Sequence, residues 1–291
     1  MTQGDPAGIG GEVALKALRR PPGGASYLLV GGFDQLRTTA QKLKVRLPLV
    51  RVREPQAVPG RVAVWDLGGP ARVQWGKVSA ANGAAAVRYI EEAARAALAG
   101  KVQALVTAPI NKEAIHRAGS KFPGHTEMLA RISKTKKFAM MMVGGPFKIT
   151  LQSIHLPLKD AVGQVTKSRV LEKIAITQQA LTRWFRVKRP RLAVAGLNPH
   201  AGENGAFGRE ELDVLKPAVA AARAKGWDVT GPHPPDTLFY WAAQGRYDAV
   251  LCMYHDQGLI PFKLAAFDSG VNLTLGLPFV RTSPDHGTAF D

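Results

Sequence analysis

The chain has 291 residues, of which 46% are hydrophobic, and a formal net charge of +17 at pH 7. This length accommodates one large α/β unit or two smaller lobes with a buried core. No apolar run approaches the roughly 20 residues that span a bilayer, and the N-terminus lacks signal-peptide features. The single cysteine, Cys252, excludes an internal disulfide and fits a reducing compartment, so we expect a cytoplasmic protein.

Strand-like and helical segments alternate along the chain. Apolar runs bounded by Gly, Pro or polar residues predict strands at 26–32, 61–67, 104–109, 138–145, 147–155, 191–199 and 248–254. Helical spacing predicts helices at 80–100, 168–185 and 209–226. The Pro-rich segment GPHPPD (231–236) is expected to be a tight loop. This alternation favours a largely parallel sheet covered by helices.

The positive charge raises the alternative of a nucleic-acid-binding protein. The basic residues lie in short clusters such as KTKK and RVKRPR, and no zinc-finger, RRM or KH signature is present. A solvated basic surface is therefore favoured, part of which serves an anionic substrate.

Two glycine-containing segments precede predicted helices. GDPAGIGGE (4–12) is either an anion-binding loop or a flexible turn, and its spacing matches neither a Walker loop nor GxGxxG. In PGHTEML (123–129), His125 and Thr126 either hold a carboxylate or phosphate, or Thr126 simply caps the helix. Arg281, after an apolar run, is a candidate bidentate anion clamp.

Three histidines follow apolar strands: His155, His200 and His255. In open α/β sheets, ligands bind beyond the carboxyl ends of the strands. Three neutral imidazoles suit Zn²⁺ or a similar divalent ion. A histidine at a strand end is also often a hydrogen-bonded structural residue, and both interpretations stay open. For His116 and His233 we expect surface or structural roles.

Several motifs occur in a fixed order: GDPAGIG, TAPINKEAI, GHTEML, HLPLKD, GLNPHAGENGAFGREE, PPDTLF, MYHDQGLIPFK and GVNLTLGLPFVRTSPDHGTA. Together they closely resemble the 4-hydroxythreonine-4-phosphate dehydrogenase family of pyridoxal phosphate biosynthesis, over nearly the whole chain. Members of that family usually have a strand before GDPAGIG and a few dozen residues after HGTA. Trimmed or omitted ends are therefore expected.

The resemblance implies an α/β fold of two α/β/α lobes with a cleft between them, like isocitrate and isopropylmalate dehydrogenases. Lobe one, on the cofactor side, is expected at residues 1–108 plus about 268–291. Lobe two, at 109–267, is expected to hold the metal ligands and the dimer interface. The family forms a homodimer with shared active sites and uses NAD or NADP without a GxGxxG loop.

The resemblance also implies site residues. The metal, Zn most of all, with Mg or Co as alternatives, is expected on His155, His200 and His255, the last reaching the partner subunit's site. The expected substrate contacts are His125, Thr126, Lys263, Asn272 and Arg281. The expected cofactor contacts are Asp285, His286 and Gly287. Catalytic roles fall on Lys263, as a charge or proton relay, and on Asp236 and Asp256, which either orient imidazoles or make local turn bonds.

The reaction implied is oxidation of 4-phosphooxy-L-threonine at its secondary alcohol followed by loss of CO₂, giving 3-amino-2-oxopropyl phosphate. A paralogue that acts on 4-phospho-D-threonate or 4-phospho-D-erythronate is the nearest alternative. A cis-dihydrodiol dehydrogenase is a more distant alternative. A basic nucleic-acid-binding protein is the remote one.

Overall fold

The computed structural model describes residues 1–290 of the chain. Its strands are β1 (Leu28–Gly31), β2 (Leu49–Val52), β3 (Val62–Asp66), β4 (Ala104–Val106), β5 (Ala139–Gly144), β6 (Phe147–Leu151), β7 (Arg191–Ala195), β8 (Asp228–His233), β9 (Ala249–Cys252), β10 (Val271–Leu275) and β11 (Val280–Pro284). Its helices are α1 (Gly10–Ala17), α2 (Phe33–Lys42), α3 (Ala80–Leu98), α4 (Lys112–Arg117), α5 (His125–Ile132), α6 (Leu158–Gly163), α7 (Lys167–Arg183), α8 (Lys216–Arg223), α9 (Pro235–Ala243) and α10 (His255–Ala266). Short helical turns lie at Pro199–Gly205 and Glu211–Leu215. Within the described residues, no helix combines the length and apolarity that crossing a bilayer requires.

The chain forms two compact units. Unit 1 comprises Met1–Thr135 and Leu277–Asp291, and unit 2 comprises Lys136–Gly276. The predicted boundaries between the two lobes lie near residues 108 and 267, whereas the boundaries of the compact units lie near residues 135 and 276. The stretch after residue 108 belongs with unit 1 because Met128 and Leu129 of α5 share a buried cluster with Tyr89 and Ile90 of α3.

Unit 1 contains parallel strands in the order β1-β3-β2 and a second parallel pair, β4 with β11. Thr2 forms isolated parallel bridges with Val30 and with Thr107. The long helix α3 begins where the Ser79 side chain accepts a hydrogen bond from Asn82 N. Alanines line its buried face, so neighbouring elements approach it closely.

Unit 2 contains a mixed sheet in the order β10-β5-β6-β9-β7-β8. Strands β6, β9, β7 and β8 are parallel, as the sequence predicts. Strand β5 is antiparallel to both β6 and β10, so the prediction of a largely parallel sheet is wrong for this edge. Only Gly145 and Pro146 separate β5 from β6, and a parallel crossover needs a dozen residues or more.

Most predicted elements are confirmed, and the departures have local causes. GPHPPD is not a loop, because its first half ends β8 and Pro235 begins α9. Proline suits the first turn of a helix, where its missing N–H would have no partner. Strand β2 was not predicted, because it has only four residues, LVRV, and the basic Arg51 interrupts its apolar run.

Gly83 sets the spacing between α3 and α4. A Cβ at this position would lie 2.0 Å from Ala114 O and 2.7 Å from Ile115 N. We expect Gly83→Ala to lower the free energy of unfolding by about 1–3 kcal/mol, as overpacking does, in urea titrations followed by circular dichroism.

Gly163→Ala, at the end of α6, is the matched control, since no atom lies within 4 Å of its added methyl group. Equal free energies of unfolding for the two variants would show that α3 and α4 can move apart without loss of stability.

Candidate active site

Three of the histidines follow three neighbouring strands of unit 2. His155 comes after β6, His255 is the first residue of α10 after β9, and His200 lies in the turn after β7. Strand β9 pairs in parallel with β6 on one side and with β7 on the other. Because parallel strands end at the same edge of a sheet, all three segments emerge side by side there. The histidines are not the last strand residues, however, because the strands end earlier, at residues 151, 252 and 195.

Two of these imidazoles are close together within one chain. The ring centroids of His155 and His255 lie 5.7 Å apart, with the ring planes inclined by 41°. The Asp256 Oδ1 atom lies 2.6 Å from His255 Nδ1. A carboxylate on one ring nitrogen fixes the orientation of the imidazole and leaves Nε2 for a ligand. The contact is compatible with either role considered for Asp256, the orientation of an imidazole or a local bond.

The third histidine does not complete a cluster. The ring of His200 lies 6.1 Å from that of Phe207. Among residues 1–290, no three His, Cys, Asp or Glu side chains are grouped so that they could hold a metal ion. Two neutral imidazoles are donors of the kind that Zn²⁺ prefers, so the residues fit a divalent cation in chemistry, but a single chain presents only this pair.

His200 sits in a left-handed turn. The φ angles of the five residues from His200 to Asn204 are 53°, 53°, 81°, 41° and 53°. Left-handed backbone costs about 1–2 kcal/mol for each residue that has a Cβ, and only Gly202 escapes this penalty. Hydrogen bonds from Ala201 N to Asn198 O and from Phe207 N to Gly202 O close the turn. The Asn- and Gly-rich string PHAGENG hinted at it, since these residues favour such angles.

Buried polar side chains connect the three histidine-bearing segments. Ser153 Oγ donates to Met253 O at 2.9 Å. Gln257 Oε1 accepts from Met253 N at 2.7 Å, and Gln257 Nε2 donates to Gly196 O at 2.6 Å. Sequence reasoning assigned no role to Ser153 or Gln257. The sequence signal that could have identified Gln257 is its position as a polar residue between His255 and the apolar stretch that follows.

The other predicted residues of unit 2 are placed as follows. Lys263 lies two turns after His255 on α10, with Nζ 5.1 Å from the Phe267 ring centroid. Asn272 lies in β10, and its Oδ1 is buried with no hydrogen-bond partner in the described part of the chain. Asp236 lies exposed in the first turn of α9.

In unit 1, the half-buried His125 lies within electrostatic reach of the buried Arg281. Burial first, and the Arg281 charge second, lower the pKa of His125 well below its usual value, while a backbone hydrogen bond at Ala108 opposes the shift. His125 Nε2 is buried and, within residues 1–290, without a hydrogen-bond partner. Arg281 is only 2% exposed and donates to Thr107 Oγ1 from Nη2 at 2.6 Å. Burial lowers the pKa of Arg281 to about 10, and Glu127 opposes the shift, so the guanidinium stays charged.

The remaining predicted contacts of unit 1 lie at helix and strand ends. Thr126 follows His125 in the first turn of α5, near the positive end of the helix dipole. Asp285, His286 and Gly287 follow β11 directly. His286 is exposed, and its Nδ1 lies 2.9 Å from Gly287 O.

The glycine-rich segment near the N-terminus is a packed loop, so its interpretation as a flexible turn is wrong. Asp5 is 1% exposed, and its N–H donates to Pro109 O. Ile9 N donates to Thr288 O at 3.1 Å. Gly4 has a φ of +74°, and a Cβ there would lie 2.4 Å from Pro109 O. These contacts hold the loop against the segments that follow β4 and β11.

Comparison with known proteins agrees with the motif order. The family model described as pyridoxal phosphate biosynthetic protein PdxA matches residues 24–291. The D-threonate 4-phosphate dehydrogenase of Salmonella typhimurium is 48% identical over 298 residues, which cover 100% of this chain and 91% of the relative. The 4-hydroxythreonine-4-phosphate dehydrogenase of Geobacter metallireducens is 46% identical over 301 residues, covering 100% and 88%.

Among solved structures, the crystal structure of 4-hydroxythreonine-4-phosphate dehydrogenase from Klebsiella pneumoniae matches with a TM-score of 0.91 and 44% identity. The match covers 100% of this chain and 91% of that one. Fold, motif order and full-length similarity therefore agree, and the chain belongs to the family of pyridoxal phosphate biosynthetic protein PdxA.

Proposed function

We propose that the chain is a metal-dependent dehydrogenase that uses NAD, or NADP, to oxidise and decarboxylate 4-phosphooxy-L-threonine to 3-amino-2-oxopropyl phosphate in pyridoxal phosphate biosynthesis. The observation that carries the proposal is the placement of His155, His255 and His200 after three adjacent parallel strands. Full-length relatives named 4-hydroxythreonine-4-phosphate dehydrogenase support the reaction and the substrate.

In unit 2, His155, His200 and His255 would hold a divalent cation, with Zn²⁺ the best fit to imidazole ligands and Mg²⁺ or Co²⁺ as alternatives. Such an ion supplies Lewis acidity that makes a secondary alcohol easier to deprotonate. Asp256 orients the His255 ring through Nδ1. Lys263 supplies positive charge or relays a proton, and Asn272 offers a buried amide oxygen that has no protein partner among residues 1–290. For Asp236 we propose an orienting role at the start of α9.

In unit 1, Arg281 supplies a fixed positive charge that suits a phosphate or carboxylate. His125 stays neutral because burial and the neighbouring guanidinium keep its pKa well below the usual value. Its unpartnered Nε2 can therefore make a hydrogen bond with a polar ligand without adding charge. Thr126 adds the hydroxyl and backbone donors of a helix N-terminus.

The nicotinamide cofactor supplies the hydride acceptor. We propose that Asp285, His286 and Gly287, which follow β11, contact it. The support is their position beside Thr288, whose carbonyl oxygen holds the glycine-rich loop that precedes α1. Backbone N–H groups of such a loop suit a pyrophosphate.

A homodimer is proposed from the exposed face of α10. Ile260, Leu264 and Phe267 are 68%, 90% and 73% exposed, and their spacing of four and three residues places them on one stripe. An apolar stripe of this kind marks an association surface, and a second copy of the chain supplies a matching one. We propose shared active sites, in which His255 serves the partner subunit.

We propose a cytoplasmic location and no nucleic-acid or membrane partner. The single cysteine, Cys252, is buried in β9, which suits a reducing compartment. A biosynthetic role among small phosphorylated metabolites explains part of the basic surface without a nucleic acid.

D-threonate 4-phosphate oxidation is the second candidate function. It is favoured by the 48% identity to the Salmonella typhimurium enzyme, which is close to the identity to the 4-hydroxythreonine-4-phosphate dehydrogenases. The two substrates share the phosphate and the secondary alcohol, so the residues described above do not separate them.

The function is tested by NAD reduction with four substrates: 4-phosphooxy-L-threonine, 4-phospho-D-threonate, 4-phospho-D-erythronate and unphosphorylated 4-hydroxy-L-threonine. We expect the highest kcat/KM with the first, loss of turnover after chelation, and recovery with Zn²⁺, Mg²⁺ or Co²⁺. A higher kcat/KM with 4-phospho-D-threonate would establish the second candidate instead. Turnover of unphosphorylated 4-hydroxy-L-threonine alone would contradict the proposal that the substrate carries a phosphate group.

Replacing His155, His200 or His255 by Ala should lower kcat by about 100-fold or more, because outer partners alone account for 10–100-fold effects at metal sites. His116→Ala is the matched control, since that ring lies on α4 and bonds only to Phe122 O among the described residues. Unchanged turnover in any one of the three variants removes that residue from the metal site.

His125 makes folding stability depend on pH. The unfolded chain gains a proton near pH 6.5 that the folded chain does not bind, so the free energy of unfolding falls as the pH drops below that value. Between about pH 7.5 and about pH 5.5, the free energy of unfolding should therefore fall, with the slope set by this one proton. In urea titrations, His125→Gln should lose that part of the pH dependence. His286→Gln, at an exposed ring, should keep it, and an unchanged pH dependence in His125→Gln contradicts the burial argument.

The association surface predicts a concentration-dependent change in mass. Leu264→Asp should convert the dimer to a monomer in sedimentation velocity, because a carboxylate in an apolar contact is desolvated without a partner. Leu98→Asp, on an exposed leucine at the end of α3, is the control and should stay dimeric. A Leu264→Asp dimer as stable as the parent would exclude this stripe from the interface.

A further inference from the structure

The segment that carries His200 is attached to the rest of unit 2 through buried side chains. This segment, residues 196–205, is called the His200 loop below. It leaves β7 at Ala195 and then enters the left-handed turn. Because that turn is unfavourable in isolation, contacts outside the loop must hold it.

Gln257 makes the first of these contacts. It lies in the first turn of α10, two residues after His255, and is 7% exposed. Its Oε1 accepts from Met253 N, in the segment that leads to His255, while its Nε2 donates to Gly196 O in the His200 loop. A single amide therefore bridges the segments that present His255 and His200. The side-chain amide supplies both the acceptor and the donor that these two backbone groups require.

Glu211 makes the second contact. This residue is 1% exposed, and its Oε1 accepts from Leu197 N at 2.7 Å and from Asn198 N at 2.8 Å. Its Oε2 accepts from Asn198 Nδ2 at 2.9 Å. Hydrogen bonds to a carboxylate are about twice as strong as neutral ones. Three of them act on two successive residues just before the turn.

The left-handed turn is closely packed against the same carboxylate. A Cβ at Gly202 would lie 2.6 Å from Glu211 Oε2. A Cβ at Gly208 would lie 2.5 Å from Asn198 Nδ2. Glycine at both positions thus allows the chain to wrap around the Glu211 carboxylate and its partner Asn198.

We propose that Gln257 and Glu211 are positioning residues that hold the His200 loop in its left-handed conformation and fix His200 relative to His255. The consequence for metal binding rests on the proposed function, whereas the hold on the loop does not. Neither side chain is assigned a contact with substrate, cofactor or metal. Their effect passes through Gly196, Leu197 and Asn198.

The first experiment measures the hold itself on the metal-free protein. Amide hydrogen exchange at Leu197 and Asn198 should become about 10-fold faster in Glu211→Ala and a few-fold faster in Glu211→Gln, which keeps the shape but weakens the charge-assisted bonds. Asp213→Asn, which removes an exposed carboxylate on the same helical turn, is the matched control and should leave both rates unchanged.

The second experiment measures the consequence with Co²⁺ alone as the probe. Gln257→Glu places an acceptor against Gly196 O and should weaken Co²⁺ binding by about 10-fold or more in calorimetry, with a changed visible absorption spectrum of the folded variant. Glu211→Gln should act in the same direction. Gln179→Glu, at an exposed glutamine of α7, should match the parent in affinity and spectrum.

The outcomes separate this inference from the proposed function. If the parent protein binds no Co²⁺, the metal site of the proposed function fails, and the exchange rates alone decide the inference. If exchange at Leu197 and Asn198 is unchanged in folded Glu211→Ala, the hold on the loop is refuted. Should Glu211→Ala not fold, Glu211→Gln gives the same decision. If Co²⁺ binds equally well and with the same spectrum in Gln257→Glu, the bridge between the segments is refuted.

Discussion

The parallel pairing of β6, β9 and β7 is the constraint on which the candidate site depends. Each strand contributes a segment to the same edge of the sheet, and register among the strands fixes the separation of those segments. Ile149, Val250 and Ala193 lie at corresponding positions of the three strands and are buried. All three strands are buried on both faces along most of their length, so a change of register would disturb this packing as well as move the histidines.

Strand pairing alone leaves the segments beyond the strands undetermined, because they contain little regular structure. Buried polar side chains supply what is missing. Ser153 and Gln257 connect neighbouring segments, and Glu211 gathers the backbone donors that precede the left-handed turn. Such groups are costly to bury without partners, and each has its partners here. The polar network therefore gives the edge of the sheet one arrangement, where apolar contacts would tolerate several.

The sequence predicts the individual segments of this site, but it does not predict how they are arranged in the sheet. Apolar runs ending in His155, His200 and His255 were visible, since strand periodicity and titratable residues are local signals. The order β6-β9-β7 was not visible, because strand order depends on contacts between residues far apart in the chain. The segments of β5 and β6 were predicted as two strands of a largely parallel sheet, whereas they form an antiparallel hairpin. The π-helical turn at Glu211–Leu215, the left-handed turn at His200 and the roles of Gln257 and Glu211 depend on tertiary partners that no periodicity reveals. The ordered motifs nevertheless identified the family, because members of one family share a fold and therefore its contacts between distant residues.

Helix α10 joins features that proteins often keep on separate elements. It begins with His255, buries Gln257 in its first turn, carries Lys263 two turns later, and presents Ile260, Leu264 and Phe267 to the outside. A helix transmits a shift at one end to the other with little loss, and only Pro261 interrupts its hydrogen-bonding here. A substitution in the exposed stripe that shifts the helix would therefore also shift His255 at its first residue. Divergence among relatives should accordingly accumulate on other helices of the unit before it reaches this one.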